Sequence, residues 1–266
     1  MYTTLTSLIN RLDSGQISRA GAITWGSPVP SFGDLSISRV ATLGLNPSYR
    51  EFVDEAGNEL KGVFRRFHTL TSLGLPSWSD VDARHLRLIV ESCRQYFRVN
   101  PYDRWFKVLD QVVLGTNSSY YSNISRACHL DLIPYATVRK WTELSPKQRS
   151  ILLRVASDTL ALLVRDSPIQ ILILNGRSVV EIFQKISGIR LESRKMPTWS
   201  LPRNSTNDVS GIAYHGAVTT LSGVELGRNV LVLGFNHNLQ SSFGVTTKVL
   251  QEIRKWVSET TSMEIV

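Results

Sequence analysis

Three polar side chains stand directly after apolar runs: Asn46 in "ATLGLNPSYREF", Asp131 in "CHLDLIPYAT" and His237 in "LVLGFNHNLQSSFG". Asn46 sits between Gly44, which lets the chain turn sharply, and Pro47, which holds the residue before it extended. A carboxamide fixed in this way is no strong base, but its carbonyl oxygen can hold a water and aim it at an electrophile. The alternative is a turn asparagine bonded to its own backbone. Asp131 can accept hydrogen bonds from a ligand's amino group, or cap the following loop. His237 can donate to an oxygen that gains negative charge as a bond breaks, or be a satisfied loop histidine. The other histidines lack that setting: His68 and His85 fall in helical or mixed segments, His215 in a hairpin, and His129 inside a strand.

The elements that must position these residues are four apolar runs, at 38–45, 128–133, 169–174 and 229–235. They are too continuously apolar for one-faced strands and fit parallel strands covered on both sides. Helical spacing joins Leu86, Ile89, Val90, Cys93 and Phe97, and again Val245, Val249, Ile253 and Trp256. A third helix is predicted from Pro146 to Arg165 with Ser145 as its cap, and "GRSVVEIFQKISG" supplies a fourth. The expected fold is therefore α/β, three-layer α/β/α, with a central four-stranded, mainly parallel sheet in one domain spanning 1–266. The Gly/Ser/Pro/Asn-rich stretch 197–211 reads as a loop or insertion. Ligands of open parallel sheets gather beyond the carboxyl ends of the strands, so Asn46, Asp131 and His237 are expected on one rim.

Composition narrows the partners. A formal charge of +8 over 266 residues favours a polyanion, nucleic acid first. Cys93 and Cys128 lie in apolar stretches as core residues, and two isolated thiols build no disulfide framework or Cys-ligated metal site. Neither a G-x-G-x-x-G nor a G-x-x-x-x-G-K-[ST] pattern occurs, so no nucleotide cofactor is expected, and no constellation of metal-ligating residues stands out, so no metal is expected either. The N-terminus lacks a signal-like apolar core and no window is long enough to span a bilayer, so a soluble, cytoplasmic protein with no membrane partner is expected. A monomer is expected as well.

Taken together, the three exits resemble the uracil-DNA glycosylase superfamily, closest to its single-strand-selective branch, whose loops read roughly GMNPG, HNLCP and HPS. The likeness runs in short islands from about Gly44 to Gly244. It implies a DNA glycosylase that flips a base into a pocket and hydrolyses its N-glycosidic bond, with Asn46 positioning the water and His237 stabilising the departing base. By the same likeness Gly44, Leu45, Pro47, Ser48, Tyr49, Phe64 and Asp131 surround the base, with Tyr49 or Phe64 stacking on it. Asn238, Leu239, Gln240 and Ser241 match a loop that fills the gap in the stack. Arg65, Arg66, Arg139 and Lys140 are expected on DNA phosphates, as are Arg98, Arg104, Arg194 and Lys195, with Trp105, Phe106 and Trp141 interleaved. Two departures stand out: Ser48 follows the proline where Gly or Tyr is usual, and Asp131 stands where the family's second motif has asparagine. An aspartate accepts from an exocyclic amine and repels a uracil O4, so modified cytosine is the expected base. The chain also resembles antiphage glycosylases that remove glucosylated hydroxymethylcytosine. Two alternatives stay open: a uracil or thymine-mismatch glycosylase, and a module that binds a modified base or nucleotide without cutting.

Overall fold

The computed structural model describes residues 1–13, 15–99, 103–202, 208–240, 242 and 244–264. Short β-rich segments, each wholly or almost wholly buried, form three parallel strands: β1 (Val40–Gly44), β2 (Ala127–Asp131) and β3 (Ile171–Asn175). A fourth, β6 (Val224–Phe235), joins them in parallel beside β3. The sheet nevertheless has six strands, in the order β2-β1-β3-β6-β5-β4. The two additions, β4 (Glu192–Leu201) and β5 (Val209–Leu221), run antiparallel at the β6 edge. Four strands are thus too few, and 197–211 is not a free loop: its two ends belong to β4 and β5. The physical reason is exposure. β4 and β5 mix exposed and buried residues and carry Glu, Ser, Arg, Lys and Thr, so they lack the continuous apolar run that marks an inner strand.

Alternate residues of the inner strands feed two separate cores. Ala41, Leu43, Cys128, Leu130, Leu172, Leu174 and Val232 pack on one face with α1 (Tyr2–Leu12), α6 (Pro146–Val155), α7 (Thr159–Arg165) and α8 (Arg177–Ser187). Val40, Ala127, Ile171, Ile173, Leu231, Leu233 and Phe235 pack on the other with α5 (Asp103–Val113) and α9 (Thr247–Glu264). Helices therefore flank the sheet, with α4 (Ala83–Gln95) sending Ile89 and Val90 to the first core and Cys93 to the second. The predicted helix 146–165 is broken after Val155; its N-terminus is capped by Ser145 with Gln148 reciprocating, as the sequence suggests. Phe97 falls past α4, in a 3-10 turn at Tyr96–Arg98. Among the described residues, no helix is long and apolar enough to cross a membrane.

Candidate active site

Register brings the polar groups together. Thr42 pairs with His129 and Gly44 with Asp131 across β1 and β2, on the face that α5 covers. A cavity of about 600 Å³ opens beyond these strand ends. Its walls include Asn46 and Tyr49 after β1, Asp131 at the end of β2 and Thr137 beyond it, Asn175 at the end of β3 and Asn238 after β6. Gly44 is small by necessity, because a Cβ there would lie 2.5 Å from Asp131 Oδ1 and 2.9 Å from His129 Nε2.

Asn46 is held by two donations. Its Nδ2 gives one hydrogen to the Pro47 carbonyl at 3.0 Å and the other to Thr137 Oγ1 at 2.9 Å. Thr137 spends its own hydroxyl hydrogen on the Arg139 carbonyl at 2.7 Å, so it can only accept from Asn46. That settles the amide orientation and leaves Oδ1 as an acceptor with no partner among the described residues.

A second chain fixes His129. The buried Tyr120 hydroxyl, its pKa pushed well up by burial, bonds Thr42 Oγ1, which in turn lies 2.7 Å from His129 Nδ1. If Tyr120 donates, the single Thr42 hydrogen goes to Nδ1, and a neutral His129 carries its proton on Nε2. Nε2 sits 3.4 Å from Asp131 Oδ1, so the cavity presents a donor and an acceptor side by side. Around them stand Phe32, Trp105 and Phe106, each with its ring 5.3–5.6 Å from the imidazole.

Glu51 also lines the wall, only 3% exposed. It accepts from Tyr96 Oη at 2.8 Å, and Arg66 Nη1 lies 3.5 Å away. Burial pushes its pKa up to about 7 against the opposing pull of Arg66 and Tyr96, with the Asp131 charge adding to the rise.

The cavity gathers Gly44, Leu45, Asn46, Pro47, Ser48, Tyr49, Asp131, Arg139, Lys140 and Asn238 from the expected set. His237 is not in its wall. The ring is 2% exposed and bonds the Trp199 carbonyl in β4 through Nε2 at 2.8 Å. In this exit it is Asn238 that lines the cavity. Leu239 is 5% exposed and packed in the second core, which removes it as a wedge into a base stack. Phe64 is 72% exposed and absent from the cavity wall, so the stacking faces available there are Tyr49, Trp105 and Trp141. Arg66 bonds the Arg50 carbonyl at 2.5 Å beside its pairing with Glu51, an inward commitment that leaves it ill placed for phosphate. Arg65 also lies off this wall, half-buried beside Arg66 in a separate depression. Gln240 supports the site from behind, accepting from Asn175 Nδ2 at 2.8 Å. Ser241 lies outside the described residues.

His129, Glu51 and Asn175 escape the sequence reading. Asn175 obeys the same rule as its neighbours, a polar residue ending an apolar run, and "ILILNG" carries that signal. His129 and Glu51 carry none, since only register and tertiary packing turn them inward. Among the described residues, no three His, Cys, Asp or Glu side chains gather to hold a metal. No protein-family model matches the chain, and no curated protein matches it in sequence.

Proposed function

We propose that the protein is a DNA glycosylase that receives one everted pyrimidine in the cavity and hydrolyses its N-glycosidic bond, leaving an abasic site. The observation that carries this reading is the Asn46 carboxamide, whose two N–H groups are committed while Oδ1 stays available for a water. Such an oriented water is what attack on C1′ of an oxocarbenium-like sugar requires. Tyr49 and Trp105 supply half-buried ring faces for stacking. Exposed Arg139 and Lys140 at the mouth suit the phosphates flanking a flipped nucleotide. His129, not His237, is the imidazole beside the base.

The expected substrate is a modified cytosine: Asp131 accepts from its exocyclic amine while His129 Nε2–H meets the ring N3. The cavity volume of about 600 Å³ exceeds what a bare pyrimidine needs and leaves room for a substituent at C5. The same donor and acceptor also complement the O4 and N3–H of uracil, so uracil is the second reading. Oligonucleotides carrying cytosine, 5-hydroxymethylcytosine, its glucosylated form, uracil or a thymine mismatch, cut with alkali after treatment, decide between them. Asn46→Ala is expected to slow base release about 10²–10³-fold with the fold intact. A variant that releases base at the wild-type rate removes Asn46 from the chemistry. Binding to a modified DNA with no base release by the wild type identifies a sensor instead.

A further inference from the structure

The cavity holds a carboxyl for which the proposed reaction has so far given no task. Glu51 closes the 3-10 turn Tyr49–Glu51, which Ser48 caps by accepting from the Arg50 N–H. That turn follows Asn46-Pro47 directly and folds the chain back, so that Glu51 faces the same cavity as Asn46. Among the described residues only one oxygen is firmly bonded: Tyr96 donates to Oε1 at 2.8 Å, while the Arg66 contact to Oε2 is a loose 3.5 Å. Each carboxylate oxygen therefore keeps acceptor capacity.

We infer that Glu51 is the general base of the site, taking a proton from the water that Asn46 holds as that water attacks C1′. The inference rests on the glycosylase reading above. In the step, the water oxygen bonds C1′ and the bond from C1′ to the base nitrogen breaks, its electron pair leaving with the base. One water proton passes to Glu51, which returns it to the departing base or to solvent.

The charges facing Glu51 are consistent with this task. Arg66 precedes α3 (Leu70–Leu73), Tyr96 follows α4 and Asp131 ends β2; the first two favour the carboxylate and the third opposes it. Their balance with burial leaves the group titrating at about 7, where a base is both available and able to accept a proton.

The test is single-turnover base release between about pH 5.5 and 9, on whichever DNA the wild type processes, for wild type, Glu51→Gln and Tyr96→Phe. Wild-type release is expected to rise with pH through about 7 and then level off. Glu51→Gln should fall about 10²–10⁴-fold and lose that rise. Tyr96→Phe keeps the carboxyl but removes a donor that favours its ionised form, so its rise should move to higher pH. Should Glu51→Gln fail to fold, the Tyr96→Phe midpoint decides alone. An active wild type with Glu51→Gln within threefold of it, or an unmoved Tyr96→Phe midpoint, overturns this inference and leaves the glycosylase reading standing. No base release by the wild type on any substrate overturns both.

Discussion

At the scale of single residues, what the sequence makes legible depends on whether local chemistry alone fixes the side chain. Asn46 between Gly44 and Pro47 is such a case, and the structure holds its amide through Pro47 and Thr137. His237 is the opposite case: it bonds the Trp199 carbonyl while its neighbour Asn238 lines the cavity, and no composition rule tells which of the two turns inward. Glu51 is illegible for a further reason: exposed on a turn it would be an ordinary solvated acid, and only packing under Tyr96 and Arg66 makes it unusual. That burial has a thermodynamic consequence apart from the catalytic role proposed for it. Folded Glu51 binds its proton more tightly than the unfolded chain does, so its contribution is fully present below about pH 4.5 and is lost as pH rises through about 7. A rise from 4.5 to about 7 corresponds to roughly 3 kcal/mol. Glu51→Gln lacks this dependence, so its stability relative to the wild type should improve by that order between pH 4 and pH 8.5. Urea unfolding of both proteins at the two pH values measures it, and parallel pH profiles would show that Glu51 titrates normally.

At the scale of elements, continuous apolar runs identify β1, β2, β3 and the inner half of β6, because strands buried on both faces have no polar side to show. The hairpin partners β4 and β5 are hidden by their exposed residues, and the break between α6 and α7 lies in "VASD", which carries neither Gly nor Pro. Pairing register is beyond local reading too, yet it decides the site, since a one-residue slip of β2 against β1 would turn His129 and Asp131 into the opposite core. Gly44 tests that dependence. Its φ is not positive, so Gly44→Ala meets no backbone penalty of that kind; the obstacle is the space occupied by Asp131 and His129. The variant is expected to fold with a loss of about 1–3 kcal/mol. On the glycosylase reading proposed above the displaced groups are the ones that meet the base, so discrimination among pyrimidines should be lost more completely than stability. Release rates on cytosine-type and uracil-containing DNA, set beside thermal unfolding, check it; unchanged discrimination would show that the pair does not read the base.

At the scale of the whole molecule, the excess of 30 Lys and Arg over 22 Asp and Glu says that a polyanion is welcome without saying where it lies. Part of that positive charge is turned to internal use. Arg228 donates to the carbonyls of Ile169 and Ser167, tying the end of α7 to β6, and Arg11 pairs with Asp158. Arg66 faces Glu51. Arg139 and Lys140 differ from these in being exposed at the cavity mouth. Each phosphate contact on duplex DNA releases counterions and adds about 0.9 to the steepness of log K against log salt. If both residues hold phosphates, Arg139→Ala with Lys140→Ala should weaken binding and lower that steepness by about 2, equally on modified and unmodified duplexes, since phosphate contacts carry no sequence information. Fluorescence anisotropy over a range of salt concentrations measures both quantities. A weaker affinity with unchanged salt dependence would mean that the two side chains shape the cavity mouth and leave the backbone to other cations.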